Sequence, residues 1–368
     1  MAAINYAGNT YAGEVLENLL CYAAEENDTY KEGLIHIKTG VQKKFTLPHI
    51  SLGKIIQDNV ATPTSTHGGQ KTDDPTFNQY TISERYLEPE DFMVYLEFNP
   101  RDYEQYWRPF QPEGPLVFRD LDPRVQAKML CLLLDKKDQY INDSIWGSRK
   151  GGKDATKVAG PTTITDAVEI GGETAAGPMK YFDGVIMRVL NNIATDASAN
   201  EKASGKVVMA GNTEITTGKG VEDALYAMWR QCPKQIRKHS ALKFVMGWDL
   251  WDLYDQYLTS KDQKYVENPD VNKYRFKGKR IVVINGIPES TIFLGKFTSG
   301  QDSCLWMAVD YATDQESVKV DRLQANSEMY FFQMRMKVDV NIVLPSEIVV
   351  WTPYKNKTTT GSGGGTGG

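Results

Sequence analysis

A strictly alternating stretch near the C-terminal end constrains the fold more than any other part of the sequence. Apolar residues hold every even position and polar residues every odd position: Phe332, Gln333, Met334, Arg335, Met336, Lys337, Val338, Asp339, Val340, Asn341 and Ile342. This period of two predicts an antiparallel strand with one face buried and one face solvated. Eleven such residues extend ~36 Å, about twice the usual strand length.

A second long element precedes this strand in the chain. Asp122 is a good N-cap, Pro123 suits the first helical position, and apolar residues then follow at helical spacing as far as Gly147. The predicted helix over 122–146 is a rod of roughly 36 Å. Because the helix and the strand match in length, we expect one to pack across the other.

Composition limits the class of protein. The chain has 368 residues, more than one core usually holds, so two or more lobes are expected. Its net charge of −5 argues against a nucleic-acid-binding protein, which normally carries a basic excess. We find no apolar run near the ~20 residues that span a bilayer, and no signal-peptide pattern, so a cytosolic protein is expected.

Cysteine and histidine spacing argues against several kinds of site. The four cysteines never form Cys-x-x-Cys, and no two of the four histidines have His-x-x-x-His spacing. Cys21 and Cys131 lie in apolar helical contexts that are typical of inert buried thiols. We predict no catalytic, cofactor-binding or metal site, and no enzymatic activity.

The region from Gly33 to Phe110 predicts an extended hairpin. Apolar residues alternate from Phe92 to Phe98, which is the period of a strand. The stretch between Asp58 and Asn78 is rich in Thr, Gly and Pro, as expected for a loop tip.

Tyr181–Ile193 is expected to open a second lobe, with a helix after Asp183 or Gly184, and residues 220–297 continue it. Its expected elements are helices over Val221–Gln231 and Trp248–Leu258, a buried strand over Leu242–Met246, and a strand–turn–strand hairpin over Ile281–Leu294. Asn285-Gly286 supplies the turn of that hairpin, because both residues tolerate positive φ.

The order of these elements resembles the major capsid proteins of tailed bacteriophages, which have the Hong Kong 97-type fold. The pieces that carry the resemblance are Tyr181–Gly184, Leu242–Met246 with Trp248–Leu258, Phe276–Pro288 with Ile292–Phe297, and the last long strand with Leu344-Pro345 and Ile348–Val350. No single piece is specific, but their shared order covers nearly the whole chain.

The resemblance implies an α+β protein with defined parts. These are an N-terminal arm (1–32), an extended β-hairpin loop (33–110), a peripheral domain (111–179 and 328–357) with a long spine helix (122–146) on a long antiparallel sheet, an axial domain (180–327), and a disordered tail (358–368).

The resemblance also implies a function. It is that of a coat protein that assembles with itself into hexamers and pentamers of an icosahedral virion shell. This shell encloses double-stranded DNA without sequence-specific binding and contacts no membrane. Portal, scaffold and decoration proteins are the implied partners, and the bacterial host cytoplasm is the implied place of assembly.

The resemblance directs attention to residues of the loop as contacts between subunits: Lys43, Lys44, Tyr95, Tyr103, Tyr106, Trp107 and Phe110. Aromatic residues are enriched at interfaces, although packing on their own subunit explains these equally well. Some members of the family join a loop lysine to an asparagine with the help of a glutamate. Lys43, Lys44 or Lys54 with Asn341 and Glu347 would be the candidates, and the alternative is solvated lysines and a surface asparagine.

Two functions of other classes stay open from the sequence. One is an encapsulin-like nanocompartment shell, which shares the fold and holds a protein cargo. The other is a carbohydrate-active hydrolase, which requires two carboxylates facing one cleft.

Overall fold

The computed structural model describes residues 9–11, 28–52, 56, 59, 80–99, 136–150, 155–157, 173–174, 177–178, 181–193, 206–261, 274–310, 318–324 and 329–356. The helices in these ranges are α1 (Asp28–Lys31), α2 (136–147), α3 (Val185–Leu190), α4 (Gly218–Gln231) and α5 (Trp248–Ser260). Among the described residues, no helix is both long and apolar enough to cross a membrane.

The strands, in chain order, are β1 (Asn9–Tyr11), β2 (His36–Thr39), β3 (Phe45–Leu52), β4 (Tyr80–Leu87), β5 (Glu90–Phe98), β6 (Ala155–Lys157), β7 (Glu173–Thr174), β8 (Gly177–Pro178), β9 (Val208–Gly211), β10 (Leu242–Met246), β11 (Arg275–Phe276), β12 (Lys279–Val283), β13 (Ile292–Lys296), β14 (Leu305–Val309), β15 (Val318–Arg322), β16 (Tyr330–Ile342), β17 (Val349–Trp351) and β18 (Tyr354–Asn356).

The first sheet, which we call the long sheet, is built on β16. This 13-residue strand pairs with β15 and β14 along one edge and with all nine residues of β5 along the other, each time antiparallel. β2 and β1 complete the sheet beyond β14 and β15. The even-numbered residues from Phe332 to Ile342 are all buried, which confirms the predicted strand.

The other face of β16 differs from the prediction at its C-terminal end. Gln333, Arg335 and Lys337 keep partial or full exposure, as the alternation predicts, but Asp339 and Asn341 are only 1% and 6% exposed. The reason is tertiary, because the β3–β4 hairpin and its connection to β5 fold over this end of the strand.

The second sheet has the strand order β11-β12-β10-β13-β17-β9. Helices α4 and α5 share an apolar core with strands β10, β12 and β13. The predicted helices and the predicted strand Leu242–Met246 are confirmed here. The predicted pairing of β12 with β13 is wrong, since β10 lies between them, parallel to β12 and antiparallel to β13. Both predicted strands exist, but Asn285-Gly286 lies in a connection past the end of β10.

The strand pairings connect segments that the sequence analysis assigned to different parts of the chain. β2 and β5, which the sequence placed in the extended loop, are strands of the long sheet, so among the described strands of that loop β3 and β4 alone form a separate two-stranded hairpin. β14 and β15 fall in the range predicted as axial domain yet pair with β16, whereas β17 falls in the peripheral range yet pairs with β13. Long-range pairing fixes these memberships, and local periodicity carries no information about it.

The core of the long sheet continues into the second sheet through α2 and α3. Ile145 and Trp146 of α2 share one buried cluster with the apolar face of β16 and with Phe293 of β13. The predicted spine helix is confirmed over residues 136–146, and its start at Asp122 lies outside the described residues. The predicted tail, 358–368, and Cys21 and Cys131 lie outside them as well.

Buried polar contacts hold the end of α2 in place. Thr29 Oγ1 donates to Asn142 Oδ1 over 2.6 Å and accepts from Trp146 Nε1 over 2.8 Å. Asn142 Nδ2 in turn donates to the carbonyl of Asn285 over 3.0 Å. The neighbouring Gly286 has φ +84°, and a Cβ there would lie 2.9 Å from Asp143 Cα. Glycine at position 286 therefore lets the Asn-Gly turn pack directly against the backbone of α2.

Candidate functional site

The β3–β4 hairpin is a ladder of eight antiparallel pairs, from Phe45↔Leu87 at its base to Leu52↔Tyr80. Its length is about 26 Å at ~3.3 Å per residue. Within the described ranges, these two strands pair only with each other. An isolated two-stranded hairpin is marginally stable in water, so this one needs support at its base and along its edges.

A small apolar cluster supports the base of the hairpin. Leu47 and Leu87 are buried against Val41 and against Ala308 of β14. Phe45 and Trp306 pack around the same cluster. The hairpin base therefore lies on the outer face of the long sheet, at the end where β16 is buried on both sides.

Polar contacts fix the same base to β16. Asn341 Nδ2 donates to the carbonyl of Tyr86 over 2.7 Å, and Asn341 Oδ1 accepts from the backbone N–H of Ile342 over 2.8 Å. The backbone N–H of Glu88 donates to Asp339 Oδ2 over 2.8 Å. β5 has no residue opposite β16 beyond Val338, and these side-chain contacts take over where that ladder ends.

Two arginines add to these polar contacts. We call the whole group, Asp339, Asn341, Arg188 and Arg85 with their hydrogen-bond partners, the anchor. Arg188 of α3 donates from its terminal guanidinium nitrogen to Asp339 Oδ1 over 3.0 Å and from Nε to the carbonyl of Val340 over 3.2 Å. Arg85 of β4 donates to Asn192 Oδ1 over 2.9 Å. The anchor thus joins three elements: the hairpin, the long strand and the segment around α3.

Burial dominates the electrostatics of the anchor. It raises the pKa of Asp339 above the ordinary 3.8, and the charge of Arg188 and the hydrogen bonds to the carboxylate only partly oppose this. Burial also lowers the pKa of Arg85, with a further contribution from the like charge of Arg188. A buried ion pair adds little net stability, but removal of one partner is costly because the other charge is left buried and unpaired.

An aromatic and apolar surface lies beside the hairpin on the outer face of β5. Met93 and Tyr95 are 49% and 47% exposed. Tyr95 stacks on Phe331 of β16 with ring centroids 6.0 Å apart, and Met93 Sδ accepts from Gln333 Nε2 over 2.9 Å. Large apolar side chains held in place at the surface are the kind that interfaces bury.

Metal-binding groups and a reactive thiol were sought in the described part of the chain. None of its His, Cys, Asp and Glu residues form a group of three or more that could hold a metal ion. The Cys304 thiol is fully buried, and burial together with the nearby Glu347 raises its pKa to about 12. Such a thiol stays protonated at neutral pH and is a poor nucleophile.

We compared the sequence and the structure with those of known proteins. No protein-family model and no curated protein matches the sequence. Among solved structures, a chain of the satellite phage P4 procapsid, solved with its size determination (Sid) protein, matches with a TM-score of 0.51 at 12% identity, covering 94% of this chain and 92% of that one. The chain has the Hong Kong 97-type fold.

Two further structures match at lower scores. The capsid of Myoviridae phage XM1 has a TM-score of 0.49 at 10% identity over 96% of both chains. The capsid of an empty GTA particle has a TM-score of 0.47 at 11% identity, covering 88% of this chain and 89% of that one.

In this Hong Kong 97-type fold, the residues that the sequence selected as contacts have different environments. Tyr95 is exposed on β5, and Lys43 is exposed beside β3. Lys44 is exposed too, but it pairs with Glu88 over 3.1 Å and lies 3.5 Å from the centroid of the Tyr86 ring. The other selected residues lie outside the described ones: Tyr103, Tyr106, Trp107 and Phe110.

Two of the residues considered for a lysine–asparagine crosslink, Asn341 and Glu347, have partners within the subunit. Asn341 is not a surface residue, and both ends of its amide are hydrogen-bonded inside the anchor. Glu347 pairs with Lys296 over 2.5 Å. Lys54 lies outside the described residues.

Sequence reasoning missed the anchor itself. Arg188 carried a usable signal, since it is the only charged residue in the apolar run Val185–Leu190, where an isolated cation usually has a partner. Asp339 and Asn341 carried none, because they continue the polar side of an unbroken alternation.

Proposed function

We propose that this chain is the major capsid protein of a tailed double-stranded DNA bacteriophage, whose copies assemble as hexamers and pentamers of an icosahedral shell. The observation that carries the proposal is the hairpin β3–β4. It is long, it pairs with no third strand among the described residues, and its base is fixed by the buried anchor. A hairpin of this kind is suited to lie on a neighbouring copy.

The surroundings of the hairpin support the same proposal. The exposed Met93 and Tyr95 lie on the strand that directly follows it and offer apolar area for a partner to cover. Shell subunits need heterologous contacts that close into rings and then into a cage. The similarity in fold to a procapsid chain agrees with this role.

The proposed role is structural: the subunit would form part of a shell and would catalyse no reaction. The shell would hold DNA without sequence-specific contacts, in keeping with a net charge of −5. Portal and scaffold proteins, and decoration proteins where they exist, would be the partners, and assembly would take place in the cytoplasm of a bacterial host. The division into arm, extended loop, peripheral and axial domains also belongs to the proposal.

A shortened hairpin tests the proposal. Replacing residues 50–82 by Asn-Gly leaves a two-residue turn between His49 and Ser83, which are paired in the ladder. The base cluster and the anchor stay intact. We expect a folded chain, by circular dichroism, that forms no closed shells under conditions where the full chain does. Shells formed by the shortened chain at the same protein concentration would contradict the role of the hairpin.

A further inference from the structure

Two basic segments lie side by side at one end of the second sheet. Residues 230–243 and 274–284 contain nine Lys and Arg residues and no Asp or Glu, in a chain whose net charge is −5. We call this surface the basic end. It comprises Arg230, Lys234, Arg237, Lys238, Lys243, Arg275, Lys277, Lys279 and Arg280.

Backbone geometry brings the two segments together. Lys243 of β10 is the register partner of Arg280 of β12, and Lys279 Nζ donates to the carbonyl of His239 over 2.9 Å. Burial and the like charge of Arg280 lower the pKa of Lys243. The cations are therefore crowded, and crowded like charges cost free energy unless an anion lies nearby.

Part of the basic end has a partner within the subunit. Arg280 pairs with Glu32 over 2.7 Å. Arg237 donates to the carbonyls of Arg230 and Cys232 at the C-terminal end of α4, where the helix dipole stabilises a cation. Other cations are exposed and form no ion pair with a carboxylate in the part of the chain that is described: Lys234, Lys238, Arg275 and Lys277.

A second charged surface of the same lobe is acidic and lies on α5. β10 runs from Leu242, next to the basic end, to Met246, and α5 begins two residues later. Asp249 and Asp252 of α5 are exposed, Asp255 follows at the same spacing, and α5 contains no Lys or Arg. Trp248, at the first position of the helix, is 46% exposed. Trp248 with these aspartates forms what we call the acidic end.

We propose that the basic end of one subunit docks against the acidic end of a second copy, head to tail around a ring. The charges are complementary, and the two surfaces consist of different residues of one subunit, as a heterologous contact that closes into a ring requires. Trp248 adds an exposed aromatic ring that a lysine or arginine of the neighbouring copy would cover. This inference rests on the proposed shell function and identifies which surfaces meet within a capsomer.

Charge reversal tests the pairing. Lys234→Glu/Lys238→Glu reverses the basic end, and Asp249→Lys/Asp252→Lys reverses the acidic end. Each should raise the protein concentration needed for assembly by about tenfold or more, and the combination of all four should restore assembly, since it exchanges the signs of both surfaces. Lys136→Glu/Lys219→Glu reverses two exposed cations outside the basic end, the acidic end and the surface of Met93 and Tyr95. It is the charge-matched control and should leave that concentration within about threefold of wild type.

The readouts are light scattering and negative-stain electron microscopy, with circular dichroism to show that each variant is folded. Folded single-end variants that assemble like wild type would overturn the pairing and leave the shell function standing. A combined variant that stays unassembled would overturn it too. The shell function itself fails only if the wild-type chain does not assemble. Binding of a short DNA duplex that Lys234→Glu/Lys238→Glu abolishes, with assembly unchanged, would assign the basic end to nucleic acid instead.

Discussion

The guanidinium of Arg188 lies 3.0 Å from the carboxylate of Asp339, and this pair joins α3 to the long strand beneath the base of the hairpin. The carboxylate side chain is 1% exposed, and the arginine side chain is 26% exposed. The pair forms at the point where β5 leaves β16, so it replaces ladder hydrogen bonds that end there. The orientation of the hairpin therefore depends on a buried ionic contact.

Removal of the arginine should be costly. Arg188→Met leaves Asp339 buried with only the backbone N–H of Glu88 as an external donor, and we expect a loss of about 3 kcal/mol in unfolding free energy. Urea unfolding of the unassembled chain measures the loss. Lys150→Met, which removes the exposed pair with Glu90, is the control and should cost much less. Equal losses for both variants would contradict the buried role of Arg188.

The raised pKa of Asp339 predicts a pH dependence. Between its ordinary value of 3.8 and the raised folded-state value, the folded chain holds more proton at this carboxyl than the unfolded chain does. Stability contributed by this group is therefore present at low pH and is lost as the pH rises through the raised pKa. Asp339→Asn lacks this loss.

The measurement is the difference in unfolding free energy between wild type and Asp339→Asn as a function of pH. The comparison also cancels the contribution of Asp143, whose pKa burial raises in the same direction. We expect the advantage of wild type to shrink as the pH rises from 3.8. An advantage that grows with pH would mean that the pairing with Arg188 outweighs burial.

Two glycines offer a matched test of close packing. Gly184 and Gly247 are both N-cap residues, with φ −72° and −78°. A Cβ at Gly184 would lie 2.8 Å from the backbone at Ser144 and Ser148, whereas a Cβ at Gly247 meets nothing closer than 3.9 Å. Gly184→Ala should lower the unfolding free energy by about 2 kcal/mol, and Gly247→Ala should change it little. Similar melting temperatures for the two variants would show that α2 does not approach Gly184 so closely.

Thr29→Val tests the buried polar contacts at the end of α2. Valine has nearly the same shape, so the change removes hydrogen bonds without opening a cavity. Asn142 Oδ1 and Trp146 Nε1 lose their partner, which should cost about 2 kcal/mol. Thermal unfolding measures the cost, and Thr39→Val on an exposed part of β2 is the control. Unchanged stability of Thr29→Val would mean that the two freed groups find other partners.

The sequence predicted which strands and helices exist far better than it predicted which strands lie beside one another. The period of two from Phe332 to Ile342 specifies a strand because every inward side chain is apolar, and the structure confirms it. The insertion of β10 between β12 and β13 follows from long-range pairing, which the local Asn285-Gly286 turn signal does not report.

The anchor shows the same limit at the level of single residues. Asp339 continues a polar face that is typical of a solvated surface, and its burial comes from the distant segments around Glu88 and Arg188. Tyr95 was selected from its residue type, and its exposure on β5 is compatible with the predicted contact role, which stays a prediction. Lys44 was selected as a lysine of the predicted loop, but the Tyr86 ring and Glu88 of its own subunit already contact it.

Electron microscopy of the purified wild-type chain tests the central claim most directly. Negative-stain images, with light scattering on the same sample across salt and protein concentrations, show the state of assembly. The account predicts closed shells of uniform size, or rings of five and six subunits. A chain that remains monomeric under every one of these conditions would contradict it.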